Sequence, residues 1–266
     1  MQFRRLILIV VACLSLWTCT GIDSAFAWGT TGHRVVALIA ERHLTPVARE
    51  AVSILLDSEG KASMADVAMW ADDVRSLKIP VQPLHTVRIP LDHKPYDPAM
   101  ACPKDRCVLA AIEASTVTLA DPEAPTAARM AALKYLVHFI GDLHQPLHAS
   151  ADTGEERVVS EARKRKLHWV WDVGIIRAQD MNAHTLAGLI DADRRLKVST
   201  RGTPVDWALE GRNIARDQVF PPLRGWRVDG TVQLPATYAL DNWPVVRLRL
   251  KQAGLRLARL LNENFR

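Results

Sequence analysis

The chain is 266 residues long, 48% hydrophobic and 24% charged, and its 34 Lys and Arg against 29 Asp and Glu give a formal net charge of +5. That length suits one domain with a substantial core, and the mildly basic balance leaves phosphate-rich partners open. No Walker loop, GxGxxG, GxSxG or HExxH signature is present, which sets aside the chemistries those signatures carry.

Residues 1–27 read as an export signal. Arg4 and Arg5 precede a short apolar run, residues 6–16, and Ala25, Phe26 and Ala27 form a small-x-small cleavage site. The run is too short for a membrane helix, and no stop-transfer pattern follows. Trp17 and Thr18 are poor residues before an acylated cysteine, which argues against a lipoprotein cut at Cys19. Cleavage between Ala27 and Trp28 removes Cys13 and Cys19. The remaining Cys102 and Cys107 can close a small loop in an oxidising compartment and make a poor zinc-thiolate site.

Apolar residues recur at helical spacing over residues 32–56, with a break where Thr45 caps and Pro46 opens a second helix. Helices are also expected over residues 63–77, 109–119, 126–141, 167–179 and 243–265. The last carries Leu248, Leu250, Leu255, Leu257, Leu260 and Leu261 as an amphipathic stripe. Residues 84–89 are the best short strand candidate. Residues 93–107, 149–166 and 219–238 read as loops, rich in Pro, Gly or charge. The run Arg163-Lys164-Arg165-Lys166 reads as a solvated loop rather than a nucleic-acid patch. With no linker or internal repeat, the expected fold is a single, mostly helical all-α domain with long loops.

The chemistry-bearing residues stand out against this background. In YLVHFIGDLHQPLH, His138 and Asp142 lie four apart, so on a helix both side chains project from one face and can grip one ion. Pro146 ends or kinks that helix, and His148 comes off the turn. LHWVWD repeats the spacing with His168 and Asp172. Apolar flanks such as Phe139, Ile140, Trp169 and Trp171 place both pairs in packed segments. A buried imidazole or carboxylate needs a partner, and a divalent ion satisfies several at once. Upstream lie Asp72 and Arg75 in VAMWADDVR, His85 in PLHTV, and His33 five residues after Trp28. The set is rich in imidazole and carboxylate and free of thiolate, which suits catalytic zinc better than a zinc finger. An α-amine has a reference pKa near ~8, so a metal frees its lone pair readily. Cleavage at Trp28 would therefore create a chelating amine and carbonyl.

In order and spacing, WGTTGHRVVALIAERHLTP, MADVAMWADDVR, PLHTVRIP, LKYLVHFIGDLHQPLH, LHWVWDVGII, VDWALE and AGLRLARLLNENF resemble the zinc-dependent S1/P1 nuclease family, which shares its fold with bacterial zinc phospholipases C. The resemblance implies a phospholipase C/P1 nuclease-like catalytic domain over residues 28–266, a Cys102–Cys107 disulfide and three Zn²⁺ ions. One ion would take Asp72, His85, His138 and Asp142. A second would take His148, His168 and Asp172. A third would take the Trp28 amine and carbonyl with His33, sharing Asp142. His144 is not a ligand in that pattern; with His43, His93 and His184 it reads as a packing or surface residue.

The implied activity is endonucleolytic hydrolysis of single-stranded DNA or RNA to 5′-phosphate products, together with hydrolysis of 3′-nucleotides, by metal-activated hydroxide attack on phosphorus. Asp72 would orient the hydroxide and Arg75 would offset charge on the equatorial oxygens; an ordinary ion pair with Asp72 is the other reading of Arg75. The matching expectations are a monomer without stable membrane association, periplasmic or secreted.

Two departures bear on substrate. The family carries an aromatic residue after the metal-binding histidine and an Asp two further on, where this chain has Thr86 and Arg88. The family's Gly-Gly-Asn loop reads here as ADTGEERVV, residues 151–159. Stacking is worth about 1–3 kcal/mol per base, so altered or relaxed base recognition is expected, with Arg88 free to grip a phosphate. The enzymatic alternative is a phospholipase C-like or other non-nucleotide phosphodiesterase, against which Asp172 counts because that subfamily tends to carry Glu there. A non-catalytic zinc-stabilised binding protein is the third reading.

Overall fold

The structure, a computed structural model, describes residues 28–77, 84–225 and 227–266. The expected export signal lies outside the described residues. Helices α1 (Thr30–Arg42) and α2 (Pro46–Asp57) flank the break expected at Thr45, whose hydroxyl accepts the Ala48 N–H while Pro46 opens α2. The single helix expected over residues 63–77 is instead two, α3 (Met64–Val67) and α4 (Trp70–Ser76). Between them the Ala68 carbonyl accepts from His138 Nδ1 at 2.7 Å, so its partner lies outside the helix.

A single turn, α5 (Pro98–Ala101), precedes the Cys102–Cys107 disulfide. Helices α6 (Val108–Ala120) and α7 (Thr126–His144) then pack on each other, and residues 136–150 are buried without interruption. The helix expected over residues 167–179 runs as α8 (Leu167–Trp169), a wider π-type turn over Val170–Gly174, and α9 (Ile175–Arg177). Neither α10 (Ala183–Ala192) nor α11 (Pro204–Ile214) was among the expected helices. Both carry readable start signals: Asn182 caps α10, and Thr203 with Asp206 forms a capping box on α11. Finally α12 (Tyr238–Asn264) packs on α1 and α7 and begins at Tyr238 rather than at 243.

Two of the expected loops contain strands. β1 (Arg157–Ser160) and β2 (Arg163–Lys166) form one antiparallel hairpin, and β3 (Arg227–Val228) and β4 (Thr231–Gln233) form another. Parallel pairing of β1 with β4 joins them in the order β2-β1-β4-β3. The register sets Val158 against Val232, both fully buried. Strands this short, with so few apolar positions, carry almost no alternation to read. Residues 84–89, expected as a strand, are irregular, with a bend at His85, and belong to no sheet.

The crossing of α12 over α1 depends on Gly254. A Cβ there would lie 2.6 Å from Ile39 Cβ and Cγ2 and 3.1 Å from Val36 O. Gly254→Val is expected to destabilise the fold by about 1–3 kcal/mol, read as a lower urea midpoint at unchanged slope.

Candidate metal centre

Helix α7 supplies the axis of the site. One helical turn apart, His138 and Asp142 point from the same face into the interior. His33 arrives from α1, Asp72 from α4, His85 from the irregular segment 84–89, His148 from the 3₁₀ turn Pro146–Ala149, His168 from α8 and Asp172 from the π-type turn. All eight side chains are 5% exposed or less. They gather into three groups whose ligand atoms lie within 4.8 Å of one another: His33, His138 and Asp142; Asp72, His85 and His138; and His148, His168 and Asp172.

Asp142 divides its carboxylate between two of these groups. Its Oδ2 lies 2.9 Å from His85 Nδ1 and 3.4 Å from His138 Nε2, while Oδ1 faces His33 Nε2 at 3.4 Å. Asp72 closes the second group, with Oδ2 3.7 Å from His138 Nε2 and Oδ1 3.6 Å from His85 Nδ1. In the remaining group His168 Nε2 stands 3.0 Å from His148 Nε2 and 3.1 Å from Asp172 Oδ2.

Backbone carbonyls set which ring nitrogen faces inward. His138 Nδ1 donates to Ala68 O, His148 Nδ1 to His85 O at 2.9 Å, and His168 Nδ1 to Thr153 O. Each Nε2 lone pair is thereby turned toward the centre. Some inward nitrogens meet only one another, His138 Nε2 against His85 Nδ1 at 3.1 Å and His148 Nε2 against His168 Nε2 at 3.0 Å, and other inward atoms have no hydrogen bond. Both nitrogens of His33, both oxygens of Asp72 and of Asp142, and Oδ2 of Asp172 are buried without a hydrogen bond. Arg75 Nη2 approaches Asp72 Oδ1 to 2.9 Å as an ion pair. Lone pairs converging on shared points, with no proton arrangement that satisfies them all, fit divalent cations, and an all-N/O donor set suits zinc-class ions.

Protonation follows from burial and from the neighbours. Burial, reinforced by Asp142, pushes the Asp72 carboxyl up to about 6. Burial would also raise Asp142, but His138, His85 and His33 around it hold it well below the carboxylate range. Desolvation takes His138 well below the usual imidazole value and His148 down to about 4. Burial lowers His168 too, yet Asp172 outweighs it and lifts the ring to about 9.

The family profile described as S1/P1 Nuclease matches residues 28–266. The chain belongs to the S1/P1 nuclease family. It is 29% identical to Endonuclease 2 of Arabidopsis thaliana, over 97% of this chain and 97% of that protein. Identity is 27% to Nuclease P1 of Penicillium citrinum, covering 89% and 97%, and 27% to Nuclease S1 of Aspergillus oryzae, covering 97% of each. The chain is therefore a phosphoric-ester hydrolase of a metal-dependent nuclease family.

Several residues that hold this nuclease's site together were not singled out in the sequence. Gln145, fully buried, donates from Nε2 to Asp172 Oδ1 and accepts the Leu147 N–H, tying the second histidine–aspartate pair to the turn that carries His148. Gly141 lets α1 approach: a Cβ there would lie 2.7 Å from His33 Nδ1. Gly32 leaves room for the fully buried Trp28, and Gly29 N donates to Asp172 O at 2.8 Å, so the segment before α1 is anchored to the π-type turn. Gly154 belongs to the loop that departs from the family pattern. Its φ is +69°, its carbonyl accepts the His168 N–H, and a Cβ there would lie 2.7 Å from Leu147 Cδ1. His43, His93 and His184 are exposed, whereas His144 is buried between Ile140 O and Arg256. A cavity of about 610 Å³ lies against Gly29, Gly32, Met69, Asp73 and Asp172. The larger one, about 780 Å³, is lined by residues such as Leu109, Ile112 and Arg259 and by none of the candidate ligands, so size alone would misplace the site.

The segment carrying His85 is held from both sides. Along one edge Val87 N donates to His148 O, Ala151 N to Ile89 O, and His148 Nδ1 to His85 O. Along the other, Arg88 N donates to Ala101 O and Val108 N to Thr86 O, each at 3.1 Å. Ala101 and Val108 are the residues immediately outside the Cys102–Cys107 bridge. The bridge thus holds together the two backbone groups that grip Thr86 and Arg88. Replacing both cysteines by serine is expected to weaken metal retention at the His85 site about tenfold, measured by chelator competition. Unchanged chelator resistance alongside a lower melting temperature would reduce the bridge to general stabilisation.

Protons and metal compete for these ligands. Asp72 takes up a proton near pH 6 and His168 holds one up to about pH 9, so metal binding must displace them. Lowering the pH from 7.5 to 5 is expected to weaken metal affinity. Metal content after equilibrium dialysis against a fixed free-metal concentration checks this, and equal content at both pH values would contradict it.

Proposed function

We propose that this enzyme is a zinc-dependent nuclease that cleaves single-stranded DNA and RNA to 5′-phosphate products and also hydrolyses 3′-nucleotides. In this reading the mature chain begins at Trp28, acts as a monomer and works in the periplasm or outside the cell. Among the described residues no helix is long and apolar enough to cross a membrane. The family match begins at Trp28, in keeping with that maturation.

The observation that carries the proposal is the divided Asp142 carboxylate, with its two oxygens serving adjacent groups of buried imidazoles. Asp72, His85, His138 and Asp142 would hold one ion; His33 with the Trp28 amine and carbonyl, sharing Asp142, a second; His148, His168 and Asp172 a third. Bound zinc supplies Lewis acidity, lowering the pKa of water toward ~7 and neutralising phosphate charge.

The side chains do the rest. Asp72, buried among the candidate ligands, orients the attacking water and receives its proton. Arg75, about one third exposed and paired with Asp72 on the same helix, lies where it can face an anionic phosphoryl group. His138, His148 and His168 keep their orientation through the carbonyls behind them, so no reorganisation accompanies reaction. Thr86 offers no ring for a base to stack on, and the exposed Arg88 favours phosphate contact, so base preference is relaxed.

The test uses mature protein beginning at Trp28, assayed on single-stranded DNA, RNA, 3′-mononucleotides and phosphatidylcholine. Hydrolysis of the nucleic substrates, abolished by chelation and restored by zinc, is expected; turnover of phosphatidylcholine alone would replace the nuclease reading with a lipase-type one. Asp72→Asn is expected to lower kcat by about 10²–10⁴-fold, with metal content measured alongside to separate proton handling from ligand loss.

A further inference from the structure

The basic run that reads as a solvated loop is an edge strand. β2 is the outermost strand of the sheet, and its register places Arg157 directly opposite Lys166 and Val159 opposite Lys164. Side chains alternate along a strand, and directly opposed residues share a face. The buried Val158 opposes Arg165, so one face of the hairpin packs inward. There the Arg165 guanidinium lies 4.6 Å over the Trp169 ring. The other face presents Arg157, Lys164 and Lys166 around Val159, with Arg157 and Lys164 exposed.

These cations are crowded. Same-face neighbours on a strand are about 6.7 Å apart and opposed residues about 5 Å, both within the ~8 Å screening length at physiological salt. Like charges placed directly opposite destabilise a hairpin. Glu155 relieves Lys166 at 2.6 Å, and Glu156 is engaged by Arg227 at 2.6 Å. Arg157, Arg163 and Lys164 form no ion pair among the described residues. The hairpin is also fastened to the metal centre. Leu167 N donates to Glu156 O and His168 N to Gly154 O, each at 2.9 Å, and His168 Nδ1 to Thr153 O. Lys166 is two residues from His168, so the cationic face runs directly into a candidate ligand.

We propose that the outward face of the β1–β2 hairpin is a phosphate-tracking surface that holds the single-stranded nucleic-acid backbone beyond the scissile nucleotide and leads it to the metal centre. The proposal rests on the nuclease reading above and gives that site its polymer-binding arm. Recognition is by charge and carries no base preference.

The test compares the mature enzyme with an Arg157→Gln/Lys164→Gln double variant and with the charge-preserving Arg157→Lys/Lys164→Arg pair. Neither position is a ligand or touches the reacting atoms. Hydrolysis of a small chromogenic phosphodiester is expected to be unchanged in both variants. With a single-stranded oligonucleotide, KM is expected to rise about tenfold in the glutamine variant, with kcat preserved. The slope of log(kcat/KM) against log salt should fall by about 1.4, at roughly 0.7 per phosphate contact. The charge-preserving pair should behave as wild type. Fluorescence anisotropy of the labelled oligonucleotide reads binding without hydrolysis, so it separates failure of this surface from failure of the nuclease assignment. Unchanged KM, salt slope and anisotropy in the glutamine variant would leave the charges as protection of a sheet edge and overturn the proposal.

Discussion

The structure turns on a buried carboxylate enclosed by imidazoles. Asp142 is wholly enclosed, and its oxygens face only imidazoles, His85 Nδ1 at 2.9 Å and His33 and His138 Nε2 at 3.4 Å. Moving a carboxylate out of water costs several kcal/mol even after relaxation, so such a group persists only where positive charge is supplied. Three imidazoles surround it, but they offer lone pairs as well as protons, and His138 itself resists protonation. The geometry is thus that of a ligand field for cations, and much of the fold delivers those lone pairs to a common centre.

A second layer of polar contacts holds α7 in place beneath that centre. Arg249 Nε donates to His144 O at the C-terminus of α7, where a cation also complements the helix dipole. Arg249 and Arg256 share Glu210. Burial would raise that carboxyl, but the two guanidiniums hold it below its usual range. Arg256 reaches His144 Nε2 as well, at 2.9 Å. These contacts keep the end of α7 fixed where the chain turns through Gln145 and Pro146 to present His148. Stability and ligand placement therefore depend on the same few residues.

Much of the fold and of the candidate site is legible along the chain because helical periodicity and the four-residue spacing are local. The caps at Thr45 and Pro46 and the pairs His138/Asp142 and His168/Asp172 need only 3.6 residues per turn to be read. Where a helix is interrupted for a distant partner the reading fails. The α3–α4 break lies at Ala68, whose carbonyl serves His138 seventy residues away. Residues 84–89 likewise have strand composition, yet their hydrogen bonds go to a disulfide loop and a 3₁₀ turn rather than to a ladder. The leucine stripe of α12 gave no hint that Arg249, Lys251 and Arg256 are buried beside it, because their partners come from other helices.

By itself the amino-acid sequence determined the helical character and the spacing of the histidine–aspartate pairs along each helix, since these depend on neighbours within one or two turns. Tertiary structure alone decided which imidazole each Asp142 oxygen faces, that carbonyls at Ala68, His85 and Thr153 set the imidazole orientation, and that a charged loop closes into an edge strand. Each of these joins segments far apart in the chain. Their meeting is governed by burial and by the need to satisfy every enclosed polar group, a condition on the whole fold that no local pattern records.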